Sequence, residues 1–371
     1  MHSETLKSRS LHTTKLRHYV PLGSPARREA ADGTETVMRV SLGFELAWYH
    51  QRCGVDFSQR WHTDPYYRYE ALKRMKAEVL EAFPAATCWD RSSDVDLASI
   101  SGCYGIYPIP HACGIPIQYA PDRYPELASR RLSVKEIEQL TVRQIVESPV
   151  FADVFRQMEC IEREWGAIHG YLSWQGVLNN AFHIRGQEIF LDMYDKPDFV
   201  HQFFSLLTEV LIQLAQCVQA RQRESGFFVN HFTVSNCVLN MISPQAYEDF
   251  VLPYDTRVAH SFERFGVHTC EWDVTPYLEV LRKLPKMGFL DMGMMSDMAR
   301  VTAMFPDTRR AVLYSPVKLQ EASLDEIRQD MEQIWRELAP CDVAMPEIQP
   351  TTPDSRVKAL LEICRALETQ S

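Results

Sequence analysis

From residue 36 onward the chain alternates between two hydrophobic rhythms. Short β-branched or apolar runs read as strands: Thr36–Leu42, Ala86–Trp89, Ile168–Leu172, Phe227–Asn230, Val267–Thr269, Phe289–Met292, Ala311–Tyr314 and Val343–Met345. Longer stretches between them space their apolar residues as amphipathic helices do: Tyr66–Ala82, Lys196–Gln222, Pro244–Arg264, Pro276–Leu284 and Ser323–Leu338. Several start with helix-initiating chemistry, namely Ser243-Pro244, Thr275-Pro276, and Ser323 with Glu326 three residues on. Short strands separated by helices call for parallel pairing, either as a closed barrel or as an open doubly wound sheet. No glycine-rich phosphate loop follows any strand, and Gly102-Cys103-Tyr104-Gly105 lacks the dinucleotide spacing. The pattern therefore predicts an α/β protein, a single (β/α)8 TIM-type barrel over residues 35–371 behind a basic N-terminal arm, residues 1–34.

Composition narrows the partners. The 371 residues are 46% apolar and 11% aromatic, enough to build a core without staples. Lysine and arginine number 39 against 49 acidic residues, a net charge of -10, which argues against general nucleic-acid binding. The exception is the arm, where Lys7, Arg9, Lys15, Arg17, Arg27 and Arg28 face Glu4 alone within residues 1–28. No run of 18 apolar residues predicts a membrane span. The charged start lacks the apolar core of a secretory signal, so a cytoplasmic location is expected. The ten cysteines form no CxxC pair and read as reduced thiols.

Barrel enzymes carry their chemistry at the C-terminal ends of the strands. Here those ends are rich in soft and borderline ligands: Asn230-His231 and Ser235-Asn236-Cys237, then His268-Thr269-Cys270-Glu271, Asp291, and Met345-Pro346-Glu347. His268-x-Cys270 stands out because residues i and i+2 of a strand face one side, so imidazole and thiolate can grip one ion. Zinc favours such mixed nitrogen and sulfur ligands, and a catalytic zinc keeps a position open. Cys237 is a candidate third ligand and Glu347 a candidate oxygen ligand. His231 and Asp291 are candidates to bind substrate or to act as acid and base. The segment from Gly170 to Gly186 gathers Trp174, Gln175, Asn179 and Arg185, which suits orienting a polar ligand or cofactor against an aromatic surface.

With these segments in place, the chain resembles the uroporphyrinogen decarboxylase superfamily over roughly residues 35–368. The carriers are Ile242-Ser-Pro-Gln-Ala-Tyr-Glu-Asp-Phe-Val-Leu-Pro-Tyr254 and Phe265-Gly-Val-His-Thr-Cys270, supported by Arg185-Gly-Gln-Glu-Ile-Phe-Leu-Asp192 and Thr352-Pro-Asp-Ser-Arg-Val357. The resemblance implies a single (β/α)8 barrel. True decarboxylases share an N-terminal arginine signature that grips the acetate side chains of the porphyrinogen; the corresponding Thr14-Lys-Leu-Arg-His-Tyr-Val-Pro-Leu-Gly-Ser24 lacks it. The other branch comprises corrinoid-dependent methyltransferases, whose zinc is held by His-x-Cys and a later cysteine. His268 and Cys270 match the first two positions, whereas Pro346 stands at the third with Glu347 beside it, so Cys237 or Glu347 is left to complete the set. The resemblance implies zinc-dependent methyl transfer between a corrinoid, free or on a partner protein, and a small substrate, by a chain that could form a homodimer. The alternatives are a cofactor-free decarboxylase of a polycarboxylate, with Arg185 its best anchor, and a non-catalytic binding protein on the same barrel.

Overall fold

The computed structural model describes residues 38–368 apart from 87, 88, 90 and 230; the expected arm, residues 1–34, lies outside them. Six strands form one parallel sheet: β1 (Met38–Phe44), β4 (His231–Ser235), β5 (Arg264–His268), β6 (Met287–Gly293), β7 (Arg309–Leu313) and β8 (Cys341–Ile348). Two dipeptides, β2 (Ile117–Gln118) and β3 (Glu126–Leu127), pair antiparallel outside it. The sheet order is β1-β8-β7-β6-β5-β4. First and last strands pair in parallel, Met38 with Cys341 through Leu42 with Met345. A closed barrel requires that neighbourhood, and an open doubly wound sheet does not.

The two remaining barrel positions are held by single bridges. Gln175 pairs with Ser235 and His169 with Ser99, both in parallel. Backbone hydrogen bonds fix them, including Ser235 N–H to the Trp174 carbonyl at 2.9 Å and Ile100 N–H to the His169 carbonyl at 3.0 Å. The chain thus has a TIM-barrel-type α/β fold, with corrections to two expected strands. Ile168–Leu172 contributes only the His169 bridge. Residues 98–100 take the place expected of Ala86–Trp89, of which Thr87 and Cys88 lie outside the described residues and Ala86 and Trp89 are not in a strand.

β4 and β7 are buried along their whole length, as expected of parallel strands covered by helices. The expected helices form largely in place, as Pro65–Ala82, Pro197–Glu224 and Leu324–Leu338, the last opened by the Ser323–Glu326 capping box. The helix Pro197–Glu224 is long and apolar enough to cross a membrane by length and composition. It instead buries Phe199, Phe203, Leu207, Leu211, Leu214 and Val218, three or four residues apart, against the rest of the protein. The stretch expected as one helix from Pro244 is broken: a turn at Pro244–Ala246 leads into a π-helical turn at Tyr247–Val251 and then the helix Leu252–His260. Such π turns recur at functional sites because they re-aim side chains. No disulfide joins the described cysteines.

A candidate metal centre at the barrel mouth

Strand register builds the site. β4 and β5 pair Ser235 with His268, so Cys237 and Cys270, each two residues further on, emerge side by side at the mouth. Their sulfurs lie 2.9 Å apart. The Cys270 sulfur is also 3.2 Å from His268 Nε2. These three ligand atoms lie within 4.8 Å of one another, and they are the one group of His, Cys, Asp or Glu side chains so gathered among the described residues.

The convergence does not arise from the strand pleat that the His-x-Cys spacing suggested. β5 ends at His268, and Cys270 lies beyond it with φ at 64°, a left-handed backbone that non-glycine residues rarely adopt. This turn carries the thiol back over the strand end. Gly293, at the end of β6, makes room for it: a Cβ there would stand 2.0 Å from the Glu271 carbonyl oxygen.

β5 and β6 pair Val267 with Leu290, which sets Asp291 beside His268. Asp291 is fully buried. Its Oδ2 lies 2.5 Å from His268 Nδ1, and its Oδ1 accepts the Thr269 N–H at 2.6 Å. A carboxylate accepts, so Nδ1 carries the imidazole proton and Nε2 turns its lone pair to the thiols. Asp291, expected to touch substrate or act as acid or base, stands behind His268 and orients it.

Cys237 is steadied from the other side. Its neighbour Asn236 donates to Asp255 Oδ2 at 2.8 Å, and the Tyr247 hydroxyl donates to the same oxygen at 2.7 Å. Tyr247 lies in the Ile242–Tyr254 motif and Asp255 directly follows it, so that motif reaches the site through Asn236. Burial pushes the Asp255 carboxyl up to about 6, against the hydrogen bonds of Tyr247 and Asn236 that pull it down. Asn179 Oδ1 accepts the Val238 N–H at 3.1 Å, and its amide donates to Gln175 Oε1 at 2.8 Å. Asn179 therefore braces the Cys237 loop.

The three ligand atoms open onto a cavity of about 290 Å³ that Gln175 and Glu347 also line. Glu347 has φ at 56°. Burial, reinforced by Glu45, Glu271 and Cys237 nearby, lifts its carboxyl to about 7, and His268 offsets this in part. Burial also raises Glu45 and Glu271. In the sequence Glu271 stands in the His268–Glu271 run without a role of its own, and no motif marks Glu45.

Three expected site residues lie elsewhere. His231 begins β4 rather than ending a strand, because the strand runs four residues later than the apolar run suggested. It is buried at the opposite end of the barrel, where desolvation lowers its pKa to about 3. Arg185 ends the helix Val177–Arg185 and pairs with buried Asp192 at 2.8 Å. Trp174 is buried beside Phe232 and reaches the mouth only through its backbone. With Arg185 turned away, the described cavity lining holds no arginine or lysine. A decarboxylase of a polycarboxylate would need such cations to hold its substrate.

The family model for uroporphyrinogen decarboxylase (URO-D) matches residues 91–367. Among solved structures, a methyltransferase from Methanosarcina mazei superposes with a TM-score of 0.65 at 16% identity, covering 90% of this chain and 95% of that one. A B12-independent methionine synthase from Shewanella sp. W3-18-1 in complex with selenomethionine reaches a TM-score of 0.46 at 10% identity, covering 90% and 98%. No curated protein matches.

Proposed function

The chain belongs to the uroporphyrinogen decarboxylase (URO-D) family, and from that premise we propose that it is a zinc-dependent methyltransferase, acting between a corrinoid and a small acceptor. The observation that carries this reading is the meeting of Cys237 Sγ, His268 Nε2 and Cys270 Sγ within 4.8 Å in the wall of the cavity at the barrel mouth. Two sulfurs and an imidazole nitrogen suit zinc in charge, softness and number, and three protein ligands leave one position for substrate. Asp291 behind His268 supplies the second layer that such ligands require.

Zinc bound there would lower the pKa of an incoming thiol or comparable heteroatom group and so make it nucleophilic at neutral pH. The chain's own residues do the rest. Asp291 keeps the proton of His268 on Nδ1. The turn at Cys270 and the Asn236–Asp255–Tyr247 network hold the thiols in place. We assign Glu347, with its carboxyl near neutrality, as acceptor for a proton that the substrate sheds. A cavity of about 290 Å³ suits a small molecule rather than a corrin ring, so the corrinoid would present its methyl group at the mouth, carried by a partner protein.

The test is metal content and exchange in the purified chain. We expect about one zinc per chain, cobalt(II) uptake with sulfur-to-metal charge-transfer absorption, and loss of both in Cys237→Ser and Cys270→Ser. A chain grown with zinc that holds less than about a tenth of an equivalent, and that gives no cobalt spectrum, ends this reading.

A further inference from the structure

The side chains gathered at the mouth also compose a second chemistry. Cys270 Sγ lies 3.2 Å from His268 Nε2, and His268 Nδ1 lies 2.5 Å from Asp291 Oδ2. Thiol, imidazole and carboxylate thus stand in the order in which a base serves a nucleophilic cysteine and a third group orients the base. Asp291 keeps the imidazole proton on Nδ1, so Nε2 meets the Cys270 thiol as an acceptor. A second thiol, Cys237, lies 2.9 Å from the Cys270 sulfur. From there a sulfur–sulfur bond of about 2.05 Å closes with less than about 1 Å of movement. Both cysteines are half-buried and line the cavity, within reach of a small solute that enters it.

Elsewhere burial works against thiol chemistry. It pushes the Cys53 and Cys113 thiols up to about 11 and about 12, and it raises those of Cys103 and Cys341. That withdraws the thiolate an oxidant attacks. Cys217 is exposed and serves as the chain's own example of an ordinary surface thiol.

We propose that in the metal-free chain this pair is a selective oxidation site for small hydroperoxides, with Cys270 the attacking thiol and Cys237 the one that closes a disulfide. With hydrogen peroxide, the Cys270 sulfur attacks one oxygen and the O–O bond breaks. His268 Nε2 accepts the thiol proton and passes it to the departing oxygen, which leaves as water, and Cys270 becomes a sulfenic acid. The Cys237 sulfur then attacks the Cys270 sulfur, the S–O bond breaks, and the hydroxyl leaves with the Cys237 proton as water. The two thiols lose two electrons and two protons, and one peroxide becomes two waters. The disulfide takes both sulfur ligands at once, so oxidation and metal loading exclude each other. The oxidation stands apart from the methyl-transfer reading; the exclusion alone rests on the metal.

The test uses the full chain, reduced, stripped of metal with a chelator, treated with equimolar hydrogen peroxide, then alkylated and peptide-mapped. Of the ten cysteines, Cys237 and Cys270 should disappear together as one disulfide-linked pair of peptides. They should do so at least about tenfold faster than Cys217 is oxidised, a fraction of what a positioned base contributes. Dithiothreitol should restore both thiols. This readout needs no variant to fold. In Cys237→Ser the sulfenic acid should persist on Cys270 and be trapped by dimedone, whereas Cys270→Ser should carry less than about a tenth of that label on Cys237. Peroxide that leaves the pair unlinked, Cys217 reacting as fast, or a sulfenic acid on Cys237 in place of Cys270 each overturns the assignment. Zinc added before the peroxide should slow the linkage about tenfold or more. A disulfide that forms as fast with zinc as without it upholds the oxidation site and refutes the metal reading instead.

Discussion

Replacing Asp291 with asparagine changes one atom and one charge behind the candidate metal centre. The buried carboxylate now accepts twice, from His268 Nδ1 at 2.5 Å and from the Thr269 N–H at 2.6 Å. An asparagine in the same place has one accepting atom. With its oxygen on Thr269, its amide faces His268 Nδ1, which must then become the acceptor and send the imidazole proton to Nε2, the atom turned to the thiols. With the amide flipped, Thr269 loses its acceptor. Each hydrogen bond to a charged group is worth about 1.5–3 kcal/mol. Loss of such an outer partner costs about 10–100-fold in metal affinity, or about 1.4–2.7 kcal/mol. We therefore expect Asp291→Asn to bind zinc 10–100-fold more weakly (about the range just given), measured by competition with a chromophoric chelator. Urea denaturation of the metal-free variant checks that the chain remains folded. A zinc affinity within about twofold of wild type would refute the role assigned to Asp291.

Two further outcomes follow from the geometry. Burial raises Glu347 from its ordinary 4.5 to about 7. The folded metal-free chain therefore keeps a proton that the unfolded chain releases, and its stability falls as pH rises from 4.5 to 7. Glu347→Gln should flatten that decline and gain on the order of 2–3 kcal/mol over wild type at pH above about 8, by denaturant titration; an unchanged pH slope rejects the buried carboxyl as its source. Gly293→Ala would drive a methyl group into the Glu271 carbonyl. It should cost about 1–3 kcal/mol of stability and weaken zinc binding about tenfold or more without touching a ligand, and unchanged affinity would show that the Cys270 turn does not depend on that contact.

The barrel was legible because its signal is repetitive: short apolar runs, helical spacing and helix-start residues agree along most of the chain. Its two loosest positions were not, because a single bridge such as Ser99 to His169 needs no β-rich run around it. The four-residue misplacement at β4 had a chemical consequence, moving His231 from the mouth to the far end. The spacing of His268 and Cys270 marked the right pair for a different geometric reason, since a left-handed turn and not the pleat brings them together. Cys237 was identifiable as a neighbour, but its approach to within 2.9 Å of Cys270 depends on register between strands. Glu45 carried no local signal, and Glu271 carried none for a role of its own. Their importance comes from burial, and burial belongs to the assembled fold.

The two kinds of barrel closure divide the molecule in a way that bears on how it can change. His268 and Asp291 sit on β5 and β6, each paired on both sides, and Cys237 follows closely on β4, where that continuous ladder ends. His62, Gly102 and Gln175 line the side that only single bridges fasten. Amide exchange should be slowest in the first half and fastest in the second. Mutations that reshape the loosely fastened jaw can alter what is gripped while the fixed jaw keeps its chemistry. The seam that makes the barrel hard to read in the sequence is the part of it most free to acquire a new substrate.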